Sequence, residues 1–143
     1  MRISVLSIII CFVLLSTSCR EDERIIPSTP NQVTPGVNGT SVKGFFLLNE
    51  GNMGSNKATL DYFDYETGIY HKNIYAERNP GVVQELGDVG NDIQIYGNKL
   101  YAIINCSHFV EVMNVETAKH ITQISIPNCR YIVFKDKYAY VSS

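Results

Sequence analysis

The stretch Lys99–Pro127, KLYAIINCSHFVEVMNVETAKHITQISIP, decides the fold of this chain. It contains three short runs that are rich in β-branched and aromatic residues, namely Lys99–Asn105, Phe109–Val115 and His120–Ile126. Runs of this composition predict β-strands, and the few residues between them predict antiparallel neighbours joined by tight connections. The stretch therefore predicts a three-stranded meander.

The same pattern recurs along the chain. Tyr65–Gly68 (YETG) returns as Val115–Ala118 (VETA), and Asn98–Ala102 (NKLYA) returns as Asp136–Tyr140 (DKYAY). The separations are 50 and 38 residues, which fit one structural unit with loops of different length, since blade-type units of four strands repeat at about 40–50 residues. The alternative is a plain antiparallel meander in which similar strands recur by chance.

Burial patterns indicate stacked sheets. Lys99–Asn105 is apolar on both faces, as expected for a strand that lies between two sheets. His120–Ile126 alternates, which is typical of an outer strand with one wetter face. The other predicted strands are Lys43–Asn49, Ala58–Tyr65, Ile69–Ala76, Ile93–Tyr96, Tyr131–Phe134 and Lys137–Val141. We therefore predict an all-β fold in which residues 43–143 form a partial β-propeller of about two and a half blades, each a four-stranded antiparallel sheet.

Composition limits the functions that the chain can have. The 143 residues suffice for one modest domain, and no long helical period appears. The net charge is −2 and the chain has no basic stripe for a phosphate backbone. Nucleic acid is therefore excluded as an expected partner.

The N-terminus reads as a targeting segment. Arg2 precedes an apolar stretch, Ile3–Leu15, which as a helix would span about 20 Å and not the roughly 30 Å of a bilayer core. We therefore predict a signal peptide over residues 1–18. The run Leu14–Cys19 resembles a bacterial lipoprotein signal, which implies cleavage before Cys19 and acylation of that residue. The alternative is an ordinary secretory signal.

The residues after Cys19 are expected to link an anchor to the domain. Arg20–Glu23 resembles the acidic export signal that places Bacteroidetes lipoproteins on the cell surface, although a charged linker is the alternative. Residues 24–42 are rich in Pro, Gly, Ser, Thr and Asn, a composition that predicts a disordered tether. Residues 19–42 would thus contain the lipidated Cys19, whose acyl chains hold the protein stably on the outer membrane, and the spacer that follows it.

Two stretches carry a resemblance to a known family. Leu47–Gly68 (LLNEGNMGSNKATLDYFDYETG) and Asn98–Pro127 are similar to the opening and the standard blade of YncE-like, quinoprotein-type β-propeller lipoproteins of Bacteroidetes. Some relatives, the BtuG-type surface proteins, capture corrinoids and pass them to an outer-membrane transporter. Such propellers close a ring, and even four blades need about 160 residues. The resemblance therefore implies the N-terminal portion of a propeller.

The longer connections are expected at one end of the sheets. Antiparallel strands alternate in direction, so the connections Asn49–Lys57, Glu77–Asp92, Cys106–His108 and Pro127–Arg130 should share one face, here called the loop face. The tight turns at residues 66–68, 97–98, 116–118 and 135–137 should share the opposite turn face. Binding residues concentrate on loops held by a rigid scaffold. The candidate ligand-binding residues are Asn49, Glu50, Asn52, Gln84, Asp92, His108 and Arg130.

Other chemical signals are weak. Cys106 and Cys129 fall on the loop face and leave open either a disulfide or two buried thiols. Residues 87–92 offer oxygen ligands without EF-hand spacing, and the histidines lack zinc-ligand spacing. No Ser or Cys has an identifiable base. We therefore predict no catalytic residues, no metal site and no cofactor.

These observations favour a surface lipoprotein that binds either a small nutrient ligand or a partner protein. The most specific version of this hypothesis, which the family resemblance implies, is that the ligand is a corrinoid. A propeller-type enzyme such as a lactonase or a cyclotransferase is an alternative. A truncated structural copy without activity is another.

Overall fold

The computed structural model of the chain describes residues 28–36, 42–82 and 85–143. These residues form ten strands and one short helix. The strands are β1 Thr29–Gln32, β2 Gly44–Asn49, β3 Thr59–Asp64, β4 Ile69–Lys72, β5 Gly90–Tyr96, β6 Lys99–Ile104, β7 Phe109–Asn114, β8 His120–Ser125, β9 Tyr131–Lys135 and β10 Tyr138–Ser142. The helix is α1, Ile74–Arg78. The predicted signal peptide and Cys19 lie outside the described residues.

The strands form three antiparallel sheets. Sheet 1 has the order β1-β4-β3-β2, sheet 2 has the order β5-β6-β7-β8, and sheet 3 is the hairpin β9-β10. The neighbouring strands β5 and β9 of sheets 2 and 3 run parallel, since Asn91 Nδ2 donates to the Arg130 carbonyl at 2.9 Å and Ile132 N donates to Asp92 Oδ2 at 2.9 Å. The structure confirms the predicted all-β fold of four-stranded antiparallel sheets stacked as in part of a propeller.

The core lies on both sides of sheet 2. Leu100 and Ile104 of β6 pack toward sheet 1, where they join a cluster that includes Leu60. Ile103, on the other side of β6, packs with Ile132 of sheet 3. The prediction that β6 is dry on both faces is confirmed. The outer position of β8 is confirmed, but the predicted alternation is wrong, because Ile121 to Ser125 are exposed on both faces of the strand.

The sequence repeat has a structural counterpart in two turns. Asp64 Oδ1 accepts hydrogen bonds from the backbone N–H groups of residues 66 and 67, at 2.8 and 3.2 Å. Asn114 Oδ1 accepts the same pair from residues 116 and 117, both at 3.0 Å. Each turn ends in a left-handed residue, Gly68 with φ 71° and Ala118 with φ 55°. Because glycine has no Cβ, Gly68 adopts this conformation without the steric cost that Ala118 bears.

The strand positions of sheet 1 are offset by one strand from those of sheet 2. Gly90 at the start of β5 donates to the carbonyl of Glu50, just after the end of β2, at 3.0 Å. Ile95, near the end of β5, lines a cleft with Lys43 and Gly44 at the start of β2. The two strands are therefore antiparallel, and β2 corresponds to β6. The shared turn at the end of β3 and β7 gives the same correspondence.

Strand β1 differs from the expectation of a disordered tether. Thr29–Gln32 pairs with β4 as the outermost strand of sheet 1. Gln32 Nε2 donates to the Thr67 carbonyl at 2.8 Å, and Val33 N donates to the Gly68 carbonyl at 3.0 Å. Pro30 is compatible with this position because an edge strand leaves one side unpaired. Composition did not show the strand because its hydrogen bonds come from β4 and from the neighbouring turn.

The predicted strand Ile69–Ala76 is wrong in its second half. The strand ends at Lys72, Asn73 takes a left-handed conformation with φ 49°, and α1 follows. Asp61 Oδ1 accepts the Asn73 N–H at 2.8 Å and holds this change of direction. Ile74 and Tyr75 are buried in the core beside Leu60. The residues of the run IYHKNIY are therefore divided between a strand and a helix, and both elements bury apolar side chains.

Within the described ranges, no helix has the length and hydropathy needed to cross a membrane.

A buried carboxylate connects α1 with sheet 2. Glu111 of β7 has no exposed surface, and its Oε1 lies 2.6 Å from His120 Nδ1 of β8. The hydroxyl of Tyr75 is hydrogen-bonded to the same carboxylate. Burial, together with the charge of Glu111, raises the pKa of Tyr75. The tyrosine thus stays protonated and serves as a donor.

We expect Glu111→Ala to lower the free energy of unfolding by about 1–3 kcal/mol or more, because it leaves buried partners of a charged group unsatisfied. Glu111→Gln should cost less, since the amide oxygen keeps one acceptor. Urea unfolding followed by circular dichroism measures both. Glu116→Ala, in the exposed turn nearby, is the matched control, and equal midpoints for Glu111→Ala and this control would contradict the role of Glu111.

Candidate functional site

Asp88 is the centre of the loop face. Its Oδ2 accepts the Gly54 N–H at 2.8 Å, and its Oδ1 accepts the Asn56 N–H at 3.4 Å. Its own N–H donates to Ser107 Oγ at 2.8 Å. One residue thereby joins the loop after β2, the segment before β5 and the connection between β6 and β7. Sequence reasoning did not select Asp88, although it lies in the oxygen-rich run 87–92.

His108 joins the fourth connection to this group. Its Nδ1 accepts the Asn128 N–H at 3.1 Å, and its carbonyl accepts the Ile126 N–H at 2.9 Å. Both His108 and Asn128 are left-handed, with φ 61° and 55°. Asn105 Nδ2 also donates to the Cys129 carbonyl at 2.8 Å. The structure therefore brings residues of all four connections together at one end of the sheets.

One part of the connection Glu77–Asp92 does not lie there. Asn79 Nδ2 donates to the Ala118 carbonyl at 2.9 Å, and Asn79 Oδ1 accepts the His120 N–H at 2.7 Å. Ala118 belongs to the turn face. The chain after α1 therefore first packs near the opposite end and reaches the loop face only in the segment before β5.

Four of the predicted residues have exposed side chains on the loop face. They are Glu50, Asn52, His108 and Arg130. Glu50, Asn52 and Arg130 each accept a hydrogen bond at the backbone carbonyl. Their side chains therefore extend from a main chain that is already held in place. His108 uses Nδ1 for a hydrogen bond within the protein, and its side chain is exposed. These four residues form the candidate site.

Asn49 has a structural role. Its Nδ2 donates to Asp61 Oδ2 at 2.9 Å and to Thr59 Oγ1 at 3.0 Å. The Tyr70 hydroxyl donates to the same Asp61 oxygen at 2.7 Å. Burial, with a smaller contribution from the hydrogen bond and charge of Asp61, raises the pKa of Tyr70 to about 12. This network fixes the end of β2 and, through it, the loop that carries Glu50.

Asp92 also holds the scaffold. Its Oδ2 accepts the Ile132 N–H of sheet 3, and its Oδ1 accepts its neighbour Ile93 N–H at 2.8 Å. Both carboxylate oxygens are thus occupied. Gln84, the remaining predicted residue, lies outside the described residues.

Cys106 and Cys129 are free thiols. Cys129 is buried, and its Sγ is 3.5 Å from the Phe109 carbonyl and 3.7 Å from the Ile104 carbonyl. Cys106 Sγ is directed instead to Asn105 Oδ1 at 3.6 Å. Burial raises the pKa of the Cys129 thiol. Of the two arrangements that the sequence left open, the structure has free thiols, although only Cys129 is fully buried.

A cleft lies at the turn face. It has a volume of about 700 Å³ between sheets 1 and 2, with Phe46, Tyr62 and His71 on one side and residues 115–119 on the other. Burial and the nearby charge of Asp64 raise the pKa of Tyr62. Sequence reasoning missed the cleft because its walls come from strands far apart in the chain. Among the residues that the structure describes, no group of three or more His, Cys, Asp or Glu side chains is arranged to hold a metal ion.

The stacked antiparallel sheets and the clustered loops define a repeat protein of propeller type with a loop-built surface. A family model described as a domain of unknown function, DUF5074, matches residues 43–143. The match spans more than half of the chain, so the protein belongs to this family. A search of the curated proteins finds no match.

The pKa of Tyr70 predicts a loss of stability in alkali. The unfolded chain releases this proton near pH 10, whereas the folded protein keeps it until about pH 12. The unfolded state therefore binds fewer protons in this window, and the free energy of unfolding falls as pH rises through it. Urea unfolding at a series of pH values measures the slope.

We expect Tyr70→Phe to make that slope shallower, because it removes one late-titrating group. Tyr140→Phe, on the exposed side of sheet 3, should leave the slope as it is. An unchanged slope in Tyr70→Phe would show that folding does not raise the pKa of Tyr70.

Proposed function

We propose that this protein is an outer-membrane lipoprotein, exposed at the cell surface, whose loop face binds a small nutrient ligand. The observation that carries the proposal is the convergence of four connections on one end of the sheets, with Glu50, Asn52, His108 and Arg130 exposed there. Backbone hydrogen bonds fix the loops, so these side chains need little ordering when a ligand binds.

The specific ligand that we propose is a corrinoid, in line with the resemblance to BtuG-type proteins. A corrinoid has a polar rim of carboxamide groups around a flat ring. The guanidinium of Arg130 and the amide of Asn52 can donate to carboxamide oxygens, and the carboxylate of Glu50 can accept from their nitrogens. The exposed side chain of His108 adds a further polar contact. Contacts of this kind suit a broad, open surface and need no deep cavity.

The direction of β1 supports delivery to a membrane partner. Thr29 pairs with Lys72, and Gln32 pairs with Ile69 next to the turn face. Followed toward the N-terminus, the chain therefore runs in the direction of the loop face. Cys19 is ten residues before Thr29, which limits the distance from lipid to β1 to about 35 Å. An anchored domain would turn its loop face toward the membrane, where an outer-membrane transporter could receive the ligand.

We expect the full chain, purified in mild detergent, to bind cyanocobalamin saturably. Arg130→Ala and His108→Ala should each raise Kd by about 5- to 100-fold, the effect of losing a hydrogen bond worth about 1–2.7 kcal/mol. Isothermal titration calorimetry measures these values. Lys137→Ala, on the turn face, is the control and should bind as the parent does.

Absence of saturable binding by the full chain would overturn the corrinoid hypothesis. Binding that Arg130→Ala and His108→Ala leave intact would place the ligand elsewhere. Urea unfolding of each variant distinguishes a lost contact from a lost fold.

Lipid attachment can be tested in the cell. We expect Cys19→Ser to abolish incorporation of labelled palmitate and to move the protein out of the membrane fraction, because acyl chains supply about 0.8 kcal/mol per buried CH₂. Cys11→Ser is the matched control, since Cys11 lies in the segment that cleavage removes. Labelling that persists in Cys19→Ser would show that the anchor is not on this residue.

A further inference from the structure

The cleft at the turn face has one wall that is built from aromatic rings. Phe46 of β2 pairs with Tyr62 of β3, and Tyr62 pairs with His71 of β4, so the three side chains form a row across sheet 1. The ring centroids of Phe46 and Tyr62 are 4.8 Å apart, and those of Tyr62 and His71 are 6.4 Å apart. Neighbouring rings are tilted by 41° and 31°, so the wall is not one flat surface. We call these three residues the aromatic row.

Hydrogen-bonding groups accompany the aromatic row. Burial and the nearby charge of Asp64 raise the pKa of Tyr62, so its hydroxyl stays protonated at neutral pH and can donate. Asp64 also lines the cleft, and while its Oδ1 holds the turn, its second carboxylate oxygen can accept a hydrogen bond.

The imidazole of His71 contains a polar atom without a partner. Its Nδ1 is buried and has no hydrogen-bond partner among the described residues, and Glu77 Oε2 lies 3.9 Å from it. Buried polar atoms in folded proteins are nearly always paired. The aromatic row therefore includes a group that a hydroxyl or a water molecule in the cleft can satisfy.

The charges around the cleft are balanced. Three carboxylates and three cationic side chains line it, namely Asp64, Glu66 and Glu116, and Lys43, Arg78 and Lys119. An ion of either sign would therefore meet repulsion as well as attraction, whereas a neutral polar molecule would meet donors and acceptors. The volume of about 700 Å³ falls within the range of about 300–1,000 Å³ that is usual for ligand pockets.

We propose that this cleft binds a neutral oligosaccharide. A sugar ring has apolar C–H groups that pack on aromatic rings, and each of its hydroxyls both donates and accepts hydrogen bonds. The Tyr62 hydroxyl donates to one sugar hydroxyl, and Asp64 accepts from another. Linked, puckered sugar rings can follow a wall of tilted rings, whereas a rigid flat molecule stacks on one of these rings at a time. The cleft lies at the opposite end of the sheets from the loop face, so this site is separate from the one proposed there.

The test titrates the full chain, in a detergent without a sugar headgroup, with maltoheptaose, cellohexaose, xylohexaose and mannohexaose in isothermal titration calorimetry. We expect saturable binding of at least one of them. Tyr62→Phe removes the hydroxyl and keeps the ring. Asp64→Asn removes the charge and keeps the turn, since Asn114 forms the equivalent turn with the same two hydrogen bonds. Each substitution should raise Kd by about 2- to 13-fold, which corresponds to a hydrogen-bond contribution of about 0.5–1.5 kcal/mol.

Matched controls make the same chemical changes elsewhere. Tyr140→Phe and Asp136→Asn, both at exposed residues of sheet 3 and its turn, should bind the oligosaccharide as the parent does. Arg130→Ala should also bind it as the parent does, and Tyr62→Phe should leave the affinity for cyanocobalamin unchanged. The two proposed sites are thereby tested separately, and the failure of one is distinguishable from the failure of the other.

The proposal would be overturned if none of the four oligosaccharides binds. Binding that neither Tyr62→Phe nor Asp64→Asn weakens would place the sugar outside the cleft. Saturable binding of adenosine in place of the oligosaccharides would show that the cleft takes a flat aromatic ring instead.

Amide hydrogen exchange of the parent, with and without the bound oligosaccharide, locates the site without any substitution. We expect slower exchange in residues 115–119 and around Tyr62, and unchanged exchange there would also contradict the proposal. Urea midpoints identify any variant that does not fold.

Discussion

The structure depends on the burial of both sides of sheet 2. Ile103 and Ile104 are adjacent in β6, point in opposite directions, and are both fully buried. One apolar cluster joins Ile104 to sheet 1 and another joins Ile103 to sheet 3. A sheet that is apolar on both faces is stable only with a partner on each side, because hydrophobic burial is the dominant favourable term in folding. The stacking of sheets follows from this single requirement.

Polar groups then set where the sheets stand relative to one another. Asp92 accepts the Ile132 N–H of the next sheet, Asp61 collects Asn49, Tyr70 and the Asn73 N–H, and Glu111 holds His120. Each of these carboxylates is at least partly shielded from water and has more than one partner or a short contact. Partnered carboxylates of this kind give a stack a fixed geometry, which apolar contacts alone specify less sharply. The loop face inherits its shape from them.

The loop face combines a rigid base with open side chains. Asp88 and His108 tie the connections to one another, while Glu50, Asn52 and Arg130 extend from main chain that is already held. Such an arrangement suits recognition more than chemistry, since the exposed groups are donors and acceptors on a broad surface. Strand β1 covers the edge of β4, and its Thr29 end lies nearer to the loop face than its Gln32 end.

The sequence by itself determined most of the strands, the dry centre, the repeated turns and the grouping of most loops, because alternation of side chains and of strand direction is local information. It also selected Glu50, Asn52, His108 and Arg130. Only the tertiary structure decided that Asn49 and Asp92 hold the scaffold, that Asp88 is central, that α1 follows Lys72 and that Thr29–Gln32 is a strand. Each of these depends on hydrogen bonds to residues distant in the chain, such as Asp61 to Asn73 or Gln32 to Thr67. Contacts of that kind have no signature in a local pattern, and they exist only once the sheets have stacked.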